Sequence, residues 1–193
     1  MKVSIIIPYK EDRGFLQQAI NSVPKDCELI ISHGPYNVST NINNGIKRAK
    51  GEYIKYLNDD DMLTANCITD SLEGLKTADF IHGNAYTIYP GHTSEFRPPI
   101  KIPTLKDMVS RNPLHGGTVM YHRKIFDKIG LFDEKLLTCE EYEFNMRALK
   151  AGFKIGYVDA FLCYYRRHAK QKTRTIKEAV RNIDRQKVRR RYE

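Results

Sequence analysis

Glu52-Tyr53-Ile54-Lys55-Tyr56-Leu57-Asn58-Asp59-Asp60-Asp61 joins an apolar, strand-like run to three consecutive carboxylates. Adjacent carboxylates repel one another, so a folded chain holds them cheaply only when they are solvated or neutralised by a cation. Hard oxygen ligands suit Mg²⁺ or Mn²⁺, usually as one or two carboxylates completed by phosphate oxygens. In open α/β sheets, ligands bind outside the carboxyl ends of the strands, which is where this cluster stands. The plain alternative is an acidic surface turn leading into the next helix.

Upstream, residues 3–7 are a β-branched run closed by Pro8, and 15–23 carry apolar residues at helical spacing. A second strand is expected over 27–32, broken by His33-Gly34-Pro35, and a helix over 39–49 with basic residues in its last turn. The third strand, 53–57, runs into the acidic cluster. Thr64 is placed to cap a helix reaching about Leu75, and 79–82 read as a fourth strand. Strands alternating with helices argue a parallel sheet with right-handed crossovers.

The second half is less regular. Segments 86–89 and 94–97 flank Pro90-Gly91 as a hairpin, and Thr104 caps a helix to about Arg111. Strands are expected at 118–121, 154–158 and 161–166, with an amphipathic helix over 140–151 ended by Gly152. A last helix, about 175–191, carries Ile176, Val180 and Ile183 on one face.

At 193 residues, 41% apolar and 28% charged, the chain fits one globular domain with its own core. Its start is too short for a signal peptide and no apolar run could span a bilayer, so a cytoplasmic location is expected. Cys27, Cys67, Cys139 and Cys163 are scattered without a CxxC pair, which suits free thiols and no zinc framework. Net charge is +9, and 166–191 carry most of the excess. Such a segment could meet anionic lipid, nucleic acid or a phosphorylated substrate, or be a solvated helix face.

Taken in order, these motifs resemble the inverting glycosyltransferases of family 2, which have the GT-A fold. The resemblance rests on Ala49-Lys50-Gly51-Glu52-Tyr53-Ile54 leading to Leu57-Asn58-Asp59-Asp60-Asp61. Downstream it rests on Gly130-Leu131-Phe132-Asp133-Glu134 and on Glu140-Glu141. It implies a mixed α/β sheet flanked by helices, in one domain over 1–168. Residues 1–90 would form the nucleotide-sugar half, 91–168 the acceptor half, and 169–193 a basic C-terminal helix.

By the same resemblance, Mn²⁺ or Mg²⁺ would sit on Asp60, with Asp61 and His168 as further ligands. Pro8, Tyr9, Glu11, Arg13, Ser32, Asp59 and His115 would contact the nucleotide-sugar donor. Glu141 would take the proton of the acceptor hydroxyl, with Glu140 as its neighbour or substitute. Asn58 and Glu141 stand where relatives usually have Asp, and Ser32-His33 stands where relatives often have a base-reading Asp. The acceptor would be a glycan, a lipid-linked sugar or a nucleic acid, with the basic tail as a possible membrane contact.

Two other classes compete. A nucleotidyltransferase also places carboxylates and a metal on phosphates, but Lys10-Glu11-Asp12-Arg13-Gly14 is a poor phosphate loop, and GxxxxGK[ST] and GxGxxG are absent. A basic nucleic-acid or membrane-surface module would use the tail alone, yet no aromatic stacking platform or nucleic-acid motif accompanies it.

Overall fold

A computed structural model describes residues 2–193. Strands β1 (Val3–Tyr9), β2 (Glu28–His33) and β3 (Tyr53–Tyr56) are joined through helices α1 (Leu16–Asn21) and α2 (Val38–Arg48). After them come β4 (Met62–Leu63), α3 (Cys67–Gly74), β5 (Phe80–Tyr89), β6 (His92–Phe96) and α4 (Leu105–Ser110). A 3₁₀ turn at Gly116–Thr118 precedes β7 (Met120–His122), α5 (Lys124–Ile129), α6 (Glu140–Lys150) and β8 (Ile155–Arg166). Two helices finish the chain, α7 (Lys172–Thr175) and α8 (Glu178–Arg190).

The sheet runs β2-β1-β3-β7-β5-β8-β4, with β6 hairpinned onto β5. The expected parallel arrangement holds for β2-β1-β3 and for β5 with β8. β7 runs antiparallel to both β3 and β5, which makes the sheet mixed. Both faces are covered, which is why Val3 to Ile7 are all buried and, Ser4 apart, all apolar. Ile6, Ile54, Phe80 and Tyr121 enter one core, and Ile5, Ile7, Leu57 and Ile81 enter the other.

Gly45 sets the distance between α2 and β1. A Cβ there would lie 2.4 Å from Cγ2 of Ile6, so no larger residue lets the helix approach. Asn43, two residues earlier on the same helix, is buried and donates to the carbonyl of Phe132 (2.9 Å) and to Glu134 Oε1 (2.8 Å), while accepting the Phe132 N–H (3.0 Å). The Gly130-Leu131-Phe132-Asp133-Glu134 motif is thus stitched to α2. Its Phe132 stacks on Phe144 of α6 at 4.6 Å, which fixes the helix that begins with Glu140-Glu141.

Several expectations are corrected. Thr64 caps nothing: its hydroxyl donates to the Phe161 carbonyl, and α3 starts after Asn66 without a side-chain cap. The strands expected at 79–82 and 86–89 are one, β5, and those at 154–158 and 161–166 are one, β8. The register shifts around Asn84 absorb the irregular stretch between their halves. Strand β4 and helix α5 are too short to show as periodicity. In the last helix, Ile183 is 51% exposed, and Asp184 and Val188 are the buried positions. The chain also breaks at Ile176 and Lys177 between α7 and α8.

Residues 169–193 pack as part of the domain rather than beside it. Val188 is fully buried in the same core as Met108 and Phe144. Asp184 accepts the N–H groups of Leu137 (3.1 Å) and Thr138 (2.9 Å), and the Tyr192 hydroxyl donates to Glu143 (2.9 Å). Among the described residues, no helix is long and apolar enough to cross a membrane.

Candidate active site

β3 delivers Asn58-Asp59-Asp60-Asp61 to the carboxyl end of the sheet, and the chain leaving β8 folds back over them. Asp59 and Asp60 are each 7% exposed, and Asp61 is 1% exposed. The Arg13 guanidinium lies 2.5 Å from Asp59 and 3.3 Å from Asp60, while Nε2 of His168 is 2.9 Å from Asp60. Burial raises the Asp59 carboxyl above its usual range, and Arg13 opposes that rise. Asp61 turns inward, accepting Asn58 Nδ2 (2.9 Å) and the Arg166 N–H (2.9 Å). Burial, reinforced by the charge of Asp60, pushes Asp61 up to about 7.

The loop after β8 ties these groups together. Arg166 donates to the Asp60 carbonyl (3.0 Å), and Arg13 donates to the Lys170 carbonyl (3.2 Å). The Gln171 side chain holds both the His168 N–H and the Arg166 carbonyl. His168 packs against Phe15, with ring centroids 4.9 Å apart. One residue further on, Lys172 reaches Glu140 at 2.7 Å.

Glu140 and Glu141 open α6. The residue before them, Cys139, has φ 65°, the only positive φ among the described non-glycine residues. Backbone held in this sparsely populated region concentrates at functional sites. Glu140 is committed to Lys172 through Oε1, while its buried Oε2 has no partner. Glu141 faces the cavity but is closely surrounded by protein, and burial followed by the charge of Glu140 pushes it up to about 7. Gly116 makes room for it: a Cβ there would stand 2.9 Å from Cγ and Oε1 of Glu141 and 2.9 Å from the Tyr56 hydroxyl.

The two acidic groups share one cavity of about 670 Å³, together with Pro8, Arg13 and His115. A second cavity of about 600 Å³ is lined by Tyr9, Glu11 and Tyr36, and shares Pro8, Arg13, Asp59 and Lys172 with the first. Burial, with Lys55 nearby, holds His115 down to about 4, so its ring is neutral, and it packs on Tyr165 at 4.8 Å. Ser32 is buried and lines neither cavity. Asp61 is likewise absent from both walls, its oxygens being used by Asn58 and Arg166.

Asp60 and His168 offer a divalent ion one carboxylate and one imidazole. Among the described residues, no three His, Cys, Asp or Glu side chains form a ready-made metal group. That donor set fits a cation completed by phosphate and water oxygens, the usual protein share for Mg²⁺ and its relatives.

Sequence reasoning did not single out Lys172, Gln171, Tyr56 or Arg111, because nothing local marks them. Lys55 is fully buried in a strand, donating to the carbonyls of Gly117 (2.8 Å) and Val119 (3.2 Å), and so holds the turn that carries Gly116.

A mixed sheet flanked by helices, with an acidic loop at the end of β3 that shares one cavity with a second acidic pair, has the GT-A architecture. The family model described as "Glycosyl transferase family 2" matches residues 13–130. The chain belongs to glycosyltransferase family 2. An uncharacterized glycosyltransferase of Rickettsia conorii is 27% identical over 214 aligned positions, covering 90% of this chain and 35% of the relative. A second, from Rickettsia felis, is 30% identical with the same coverage. The chain therefore spans about a third of the length of these two relatives. Among solved structures, Staphylococcus aureus TarS 1–349 in complex with UDP-GlcNAc superposes with a TM-score of 0.72 at 15% identity. That match covers 95% of this chain and 65% of the TarS chain, and it shows the fold.

Proposed function

We propose that this chain transfers a sugar from a nucleotide-diphosphate sugar to an acceptor hydroxyl, with inversion, using Mn²⁺ or Mg²⁺. The observation that carries the reading is the single cavity lined by both Asp59-Asp60 and Glu140-Glu141. Family membership supports the reaction class. The UDP-GlcNAc held by the TarS neighbour makes that compound the first donor to test.

In this reading the nucleoside end lies in the second cavity, between Tyr9 and Tyr36, and Asp59 meets the ribose or sugar. Arg13 and Lys172, which line both cavities, meet the charge of the diphosphate. Asp60 and His168 would hold the cation, which when bound screens the diphosphate and stabilises the departing nucleoside diphosphate. Glu141 is the proton acceptor. Among the described residues no side chain hydrogen-bonds its carboxylate, and a proton affinity lifted to about 7 matches a base working near neutral pH. Glu140, pinned by Lys172, is held beside Glu141.

The test is thermal unfolding with UDP-GlcNAc, with and without MnCl₂, beside product analysis. A ligand at a hundred times its Kd stabilises by about 2.7 kcal/mol, a shift readily measured. The expected result is an Mn²⁺-dependent shift that Asp60→Ala abolishes, with free nucleoside diphosphate as product. Release of pyrophosphate would identify nucleotidyl transfer instead. No shift with any common nucleotide sugar would refute the reading.

A further inference from the structure

We infer that the α8 wall of the cavity binds a phosphate group carried by the acceptor, separate from the donor's diphosphate. The inference rests on the proposed transferase reading and names its acceptor class. Arg181, Arg185 and Arg189 recur every four residues, so they form one stripe along α8. All three line the main cavity with Arg111, from the end of α4.

These four guanidinium groups lack what their neighbours have. Lys187 on the same helix and Arg191 at its C-cap are paired with Asp184 (3.7 Å) and Asp133 (2.8 Å). Among the described residues, no carboxylate lies within salt-bridge distance of Arg111, Arg181, Arg185 or Arg189. The bonds they do make hold them in place without neutralising them: Arg185 donates to Asn182 (2.9 Å) and Arg189 to the Ser110 carbonyl (2.7 Å). The Nε atoms of Arg181 and Arg189 are buried with no hydrogen-bond partner. Like charges gathered on one cavity wall and orphaned buried donors are both unfavourable, and one oxyanion relieves both. Guanidinium forks match phosphate oxygens pairwise, and four of them exceed what a single carboxylate can engage.

Placement separates this anion from the donor. The cavity assigned to the nucleoside contains none of the four arginines. The stripe is anchored instead beside Glu141: Asp184 holds the backbone of Leu137 and Thr138 just before α6, and Arg189 holds the end of α4. An acceptor hydroxyl presented to Glu141 would therefore belong to a molecule whose phosphate ester rests on α8.

The experiment titrates the full chain with sn-glycerol 3-phosphate, with glycerol as control, in the presence and absence of saturating UDP and MnCl₂. Glycerol 3-phosphate is expected to bind in both conditions and glycerol in neither. Arg181→Gln with Arg185→Gln should weaken the phosphate ester at least about tenfold, leaving UDP affinity within about twofold. If the double variant does not fold, Arg185→Gln alone carries the test, since Arg185 is exposed. Absent binding, equal binding by the variant, or displacement of glycerol 3-phosphate by UDP would each overturn the inference. UDP failing to bind while glycerol 3-phosphate binds would strike the donor reading and leave the stripe assigned.

Discussion

Replacing Gly116 with alanine should slow catalysis while leaving the fold and donor binding in place. The new Cβ would meet Glu141 Cγ, Glu141 Oε1 and the Tyr56 hydroxyl, each at 2.9 Å, where ordinary contact begins near 3.4 Å. The carboxylate must therefore retreat by about half an ångström. Misplacing a reacting group by about 1 Å costs roughly a hundredfold, so half of that predicts a loss of about tenfold or more in kcat. The main chain can accept the methyl group, because Gly116 does not hold a positive φ. The crowded atoms belong to side chains rather than backbone, and Glu141 can turn away where the buried Tyr56 cannot, so the stability cost is the about 1–3 kcal/mol of ordinary overpacking. The assay is steady-state release of UDP from UDP-GlcNAc, with donor KM and the unfolding midpoint measured on the same protein. Combining Gly116→Ala with Glu141→Asp should give a loss smaller than the sum of the two, since both act on one carboxylate. Full kcat in a folded Gly116→Ala protein would refute the placement of Glu141 as base.

Other outcomes follow from the same geometry. Glu141→Gln should lower kcat by about 10²–10⁴ with little change in the Mn²⁺-dependent thermal shift, as expected for loss of a general base. In the parent, kcat/KM should climb as pH rises through about 7, where Glu141 loses its proton; a flat profile from pH 5 to 8 would contradict this. Glu140→Gln removes the neighbouring charge that helps raise Glu141, so the same limb should move to lower pH. Glu141 binds its proton more tightly in the folded chain than at its ordinary value of 4.5, so its share of stability is complete below that pH and is lost as pH rises through about 7. Glu141→Gln should flatten that part of a stability–pH curve measured in urea. Asn43→Ala leaves the Phe132 N–H and carbonyl unpaired and should destabilise the chain by about 1–3 kcal/mol in urea unfolding.

Fold and chemistry are most legible in the sequence where one strand carries both pattern and charge. Residues 53–61 show an apolar strand followed by carboxylates, and the structure puts that loop at the mouth of the main cavity. β1, β2 and α2 were legible for the same reason, since their apolar residues repeat at the period of their own element. The family motif around Phe132 was visible, but its role was not: it is a clamp, and its partner Asn43 lies on another helix. Periodicity misread α8, because the residue that anchors it is the acid Asp184, and Ile183, the apolar residue expected inside, faces out. Lys172 shows the general limit. Its salt bridge to Glu140 depends on a loop crossing the mouth of the sheet, and no local spacing encodes where a loop lands.

The charge of the chain makes the same point in energetic terms. Residues 166–191 hold twelve of the 32 Lys and Arg residues against two acids, Glu178 and Asp184, which by composition alone describes a solvated basic tail. The fold divides those cations by task. Arg166 and Lys172 hold the acidic loop after β3 and the acidic start of α6, and Arg191 holds the Phe132 clamp through Asp133. Had the helix been a surface ornament, its remaining arginines would point to bulk water, where screening makes their mutual repulsion slight. Instead Val188 and Asp184 fix its rotation, and that rotation turns Arg181, Arg185 and Arg189 into the cavity that contains Glu141. A helix docked in that orientation holds unpaired guanidinium groups on the cavity wall, with the Nε atoms of Arg181 and Arg189 buried and unpartnered. Such an arrangement is stable at rest because the core anchors it, and it gains most when an anion enters.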